Sequence, residues 1–79
     1  MTRETSITPE EALANAIIIQ AAEDYRTSIR NLKINPRHKE SLQMLQGCED
    51  FFRSEWYQIL TKVDGEMIMR KIREEELGR

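Results

Sequence analysis

Five cations stand in one 14-residue window, Arg26, Arg30, Lys33, Arg37 and Lys39, and that window holds no Asp or Glu. The rest of the 79-residue chain carries the other seven basic residues against all 14 acidic ones, so a +5 tip sits on a −7 body. Arg26, Arg30 and Lys33 repeat at helical spacing, where like charges repel by a few tenths of a kcal/mol, so the row does not serve local helix stability. Such a tip is suited to phosphate or to an acidic partner. Cations near a helix C-terminus are also favoured by the dipole, which accounts for Arg30 and Lys33 but not for Arg37 and Lys39. The overall pI of about 5.4 is not that of a typical nucleic-acid-binding protein.

A second concentration is Phe51 to Gly65, FFRSEWYQILTKVDG, which holds both Phe residues, the single Trp and one of two Tyr. At helical spacing Phe52, Trp56 and Leu60 share a face, while Phe51, Ser54 and Tyr57 lie near another. Aromatics at this spacing usually pack, in a core or at an oligomer interface. The part left outside, expected at Trp56 and Tyr57, is a candidate partner-binding surface together with Arg30, Lys33 and Arg37.

The remaining reactive types do not assemble into a catalyst. His38 is the sole histidine and, apart from Glu40, has no neighbour at ligand spacing, so it reads as a surface residue and no metal is expected. Cys48, the only cysteine, falls on or near an apolar helix face beside Glu49 and Asp50, which raise rather than lower a thiol pKa. It allows neither an intrachain disulfide nor a cysteine zinc site. Adjacent carboxylates such as Glu49 and Asp50 point about 100° apart on a helix and form no acid–base pair. A phosphate-binding Gly-rich loop, a zinc-protease pair and a Ser-His-Asp set are all missing, so neither an enzyme nor a cofactor is expected.

The elements that position these residues read as helices. Residues 1–7 show no periodicity and are expected to form a flexible arm ahead of one helical domain over 8–77. Thr8, Pro9 and Glu11 form a capping box with Pro at the first helical position. The spacing of Ile18, Ala22, Tyr25, Ile29 and Leu32 then predicts a helix of about 25 residues, stopped by Asn35-Pro36. Asn35 is expected to cap a second helix with an inner face of Leu42, Leu45, Cys48 or Glu49, and Phe52. Gly47 inside that helix suggests a close crossing. Ser54 and Asp64 can each cap a further segment, the last with Ile68 and Ile72 inward, and the tail from Arg73 is expected to fray. The predicted fold is all-α: a bundle of three to four helices, one long N-terminal helix packed by a helical hairpin and a broken C-terminal helix. Ala16 to Ile19 is the longest apolar run, far short of the ~20 residues of a membrane span, and the opening residues lack the apolar run of a signal peptide, so a cytoplasmic protein is expected.

The run FFRSEWYQILTKVDGEMIMRKIR, Phe51 to Arg73, resembles the C-terminal signature of short helical proteins encoded by phages and mobile elements of Gram-positive bacteria. An upstream Q-A-x-x-D-Y-R of that group is matched by Gln20, Ala21, Asp24, Tyr25 and Arg26. The resemblance spans roughly Ile17 to Arg73 and implies a phage-like gene acting in the bacterial cytoplasm; it carries over no catalytic or ligand residue. The expectation is a non-enzymatic interaction protein, self-associating as a dimer or higher oligomer, that binds a host or phage protein and blocks it, as an anti-defence factor does. The competing expectations are a small nucleic-acid-binding regulator using Arg26, Arg30, Lys33, Arg37 and Lys39, and an oligomer that sequesters a small anionic ligand.

Overall fold

A computed structural model describes residues 8–78, so the expected arm over 1–7 lies outside the described residues. The chain leaves Thr8 in extended geometry, and its hydroxyl accepts from the Glu11 amide at 3.1 Å while the Glu11 carboxylate accepts from the Thr8 amide at 3.0 Å. Helix α1, Pro9–Ile34, follows for 26 residues. It ends where expected, at Asn35, whose amide closes onto the Asn31 carbonyl at 2.8 Å.

Asn35 does not cap the next helix. Its side-chain oxygen accepts from the Arg37 amide at 3.2 Å and is spent on the turn. The chain therefore needs three more residues before helix α2, Lys39–Phe52, and His38 is the cap, its Nδ1 accepting from the Ser41 amide at 3.2 Å. Ser54 caps the short α3, Glu55–Leu60, by accepting from the Tyr57 amide. Asp64 caps α4, Gly65–Leu77, by accepting from the Glu66 amide. Helix α4 does not fray at Arg73; it runs to Leu77 and closes on Gly78 at φ 76°, the left-handed geometry that glycine adopts without steric cost.

Four helices and no strand are found among the described residues, in a bundle of 49 × 26 × 20 Å in which α1 touches each of the others. The core is Tyr25 and Ile29 of α1, Cys48 and Phe52 of α2, Tyr57 of α3, and Met69 and Ile72 of α4. Edge-to-face contacts bind the aromatic segment internally, with Phe51, Phe52 and Tyr57 mutually 5.4–5.5 Å apart by ring centroid. Each such pair contributes about 0.5–1.5 kcal/mol beyond its buried area.

Two sequence expectations about α2 are overturned. Leu45, Cys48 and Phe52 face inward as expected, but Leu42 is exposed, because the inward stripe runs through Ser41 at spacings of four, three and four and leaves Leu42 one residue off it. Gly47 is not a crossing point, since a side chain there would meet nothing within 4 Å. The close approach is at Gly65, where an added Cβ would collide with the backbone carbonyl of Phe52. That contact seats the start of α4 against the end of α2. Among the described residues no helix is long and apolar enough to cross a membrane.

Candidate functional site

The basic row finds its acidic partner inside the molecule. Arg26 NH2 lies 2.9 Å from Glu75 Oε1 and its Nε 3.3 Å from Glu76 Oε2. Arg30 grips Glu76 through both oxygens, Nε to Oε1 at 2.8 Å and NH2 to Oε2 at 3.0 Å. Lys33 Nζ donates to the Glu76 main-chain carbonyl, satisfying a carbonyl in the last turn of α4. The hydrogen bond from Arg30, followed by the charges of Arg30, Arg26 and Lys33, holds the Glu76 carboxyl below its ordinary range. The cations that crowd one another along α1 thus form a clamp on α4.

The candidate site set is divided by this clamp. Arg26, Arg30 and Lys33 are engaged, whereas exposed Arg37 in the α1–α2 turn and Lys39 at the start of α2 have no carboxylate within 4.0 Å among the described residues. The row is therefore not one continuous free cationic surface. The aromatic pair divides too. Trp56 is 54% exposed, but Tyr57 is 2% exposed and cannot present itself to a partner, because it points between Phe51 and Phe52 as a core ring.

Around Trp56 lies an apolar surface that the helical pattern alone did not reveal. An open groove of about 570 Å³ runs between α1 and α2, lined by Ile17 and Ala21 on one side and by Met44, Gly47, Cys48 and Phe51 on the other. Gly47, exposed in this lining, contributes no side chain to it. The Phe51 ring, in the groove lining, stands 5.5 Å from the ring of Trp56, so the exposed indole neighbours the groove through Phe51. The sequence signal nearest to it is Gly47, a mid-helix glycine whose place is not explained by a crossing of this chain's own helices, since an added side chain would meet nothing within 4 Å.

A polar cluster also escaped the sequence reading. The buried Tyr25 hydroxyl donates to Glu49 at 2.9 Å and accepts from Arg73 at 2.9 Å, joining α1, α2 and α4. Burial is the main cause that raises the Tyr25 pKa, and the Arg73 hydrogen bond opposes it. Its members are 24 and 48 residues apart, and no local spacing signals such a set.

Reactivity is suppressed at Cys48. Burial first, then the charges of Asp24 and Glu49, push its thiol up to about 11. No group of three or more His, Cys, Asp or Glu residues able to hold a metal ion occurs among the described residues. His38, expected only as a surface residue, is the α2 cap described above, with its side chain 41% exposed. Comparison of the chain with protein-family models, with curated proteins and with solved structures finds no match.

Proposed function

We propose that this is a non-enzymatic interaction protein that binds a protein partner through the α1–α2 groove and the adjoining Trp56. The observation that carries the reading is an open apolar groove between α1 and α2 with an exposed helical glycine in its lining. A contiguous apolar patch bordered by polar residues such as Gln20 and Asp24 fits the general character of a protein-binding surface. The raised thiol of Cys48 in the same groove opposes nucleophilic chemistry there. In keeping with the resemblance of Phe51 to Arg73, the partner is a bacterial host or phage protein met in the cytoplasm and blocked by occupation, and the same face supports self-association. Arg37 and Lys39 stay available at the turn as a secondary contact for an acidic partner, but the commitment of Arg26, Arg30 and Lys33 to α4 argues against a phosphate-tracking row.

Gly47→Glu tests this cleanly, because the position is open, helical and free of contacts. The variant is expected to fold, to sediment as a monomer where the native chain self-associates, and to lose a bacterial protein retained by the native chain in quantitative affinity capture. Trp56→Ala is expected to weaken the same capture. A native chain that is monomeric and retains nothing sensitive to Gly47→Glu would overturn the reading.

A further inference from the structure

Tyr25, Glu49 and Arg73 contribute to a second cleft, separate from the groove, bounded by α1, α2 and α4 and about 360 Å³ in volume. Its other lining is Ile29, Leu32, Leu45 and Leu77, with Lys33 completing it. Apolar walls with a few convergent polar groups, in this volume range, are the usual makeup of a small-molecule site.

The polar groups are unevenly satisfied. The Glu49 carboxylate, in the lining, accepts from the Tyr25 hydroxyl and lies 3.7 Å from Arg53, a cation it shares with Glu66 outside the cleft. Arg73 places one N–H on the Tyr25 oxygen, and no carboxylate lies within 4.0 Å of it among the described residues. A guanidinium carries five N–H donors in a planar fork that matches a carboxylate. Lys33 adds a second positive charge, its Nζ already held by the Glu76 carbonyl. The cleft thus pairs an under-used, oriented cation with four aliphatic side chains.

From this pairing we infer that the α1–α2–α4 cleft binds a small monocarboxylate with an apolar body. The carboxylate meets Arg73, and the apolar body lies along Ile29, Leu32, Leu45 and Leu77. A cationic amphiphile meets the two positive charges of Arg73 and Lys33 against the one carboxylate of Glu49, and a neutral one leaves the guanidinium unanswered.

The test is a titration of the full ¹⁵N-labelled chain with octanoate, 1-octanol and octylammonium, followed by amide shifts. Octanoate is expected to move the amides of Ile29, Leu32, Leu45 and Arg73 saturably while Gly47 stays still. It is expected to bind roughly tenfold or more tightly than either analogue, and Arg73→Gln to remove that preference. Shifts centred on Met44 and Gly47, equal binding of octanol, lack of saturation, or a folded Arg73→Gln variant that keeps the preference would each overturn the assignment. Should Arg73→Gln not fold, the amide map and the three-ligand comparison on the native chain decide it.

Discussion

Tyr25 and Tyr57 bring the same side chain into one core and meet opposite conditions there. The Tyr25 hydroxyl is bonded on both sides, to Glu49 and Arg73, whereas the Tyr57 hydroxyl is buried with no hydrogen-bond partner among the described residues. Removing a bonded buried hydroxyl strands its partners, while removing an unbonded one relieves a desolvation cost. Tyr25→Phe should therefore lose about 1–3 kcal/mol in urea unfolding, and Tyr57→Phe should be neutral or gain up to about 1 kcal/mol. The Cys48 thiol is raised from an ordinary value of 9.0 to about 11, mainly by burial. The neutral form is favoured in the fold, so this stabilisation is complete below pH 9 and is lost as pH rises through about 11. Near pH 8 a thiol-exchange reagent should label native Cys48 far more slowly than the unfolded chain; equal rates would mean that the groove leaves the sulfur reactive.

Helices declare themselves by period and caps, and for that reason α1, α3 and α4 start where Thr8, Ser54 and Asp64 predict. A cap that an upstream turn can spend is harder to read. Asn35 looks like the α2 cap but serves the Arg37 amide, and His38, a less usual capping type, takes the role. The candidate site was only partly readable, because Arg26 and Arg30 are paired with residues 46 to 50 positions away, beyond any helical period. The same holds for the two mid-chain glycines, which look alike in sequence and differ in their neighbours. Gly47→Ala should stabilise α2 by about 1 kcal/mol, whereas Gly65→Ala should cost about 1–3 kcal/mol by forcing the start of α4 off Phe52; chemical denaturation of both variants checks the contrast. At the far end of α4, the Glu76 carboxyl is held low by Arg30, so its stabilising effect is present above the ordinary carboxylate range and lost as pH falls through the lowered value. Acidification, or Glu76→Gln at neutral pH, should shift the Cα resonances of Glu74 to Leu77 toward coil while Met69 and Ile72 stay helical. An unchanged last turn under both conditions would show that the clamp does not hold it.

The whole molecule is a long rod, α1, with three shorter helices laid along it, and its charge is largely settled between the two ends of the fold. Phosphate binding depends on the number of cations free to displace counterions. With three of the five cations of the 26–39 window committed to α4, the chain should bind a labelled DNA duplex weakly at about 50 mM salt in fluorescence anisotropy. Tight binding that falls tenfold or more by about 200 mM would restore the nucleic-acid reading. The clamp also has a consequence in time. Synthesis runs from α1 to α4, so Arg26, Arg30 and Lys33 are made before Glu75 and Glu76, the carboxylates that answer them in the fold. The clamp can therefore close only once α4 has been made, so the pairing that fixes the far end of α4 to α1 is a late step in assembling the fold.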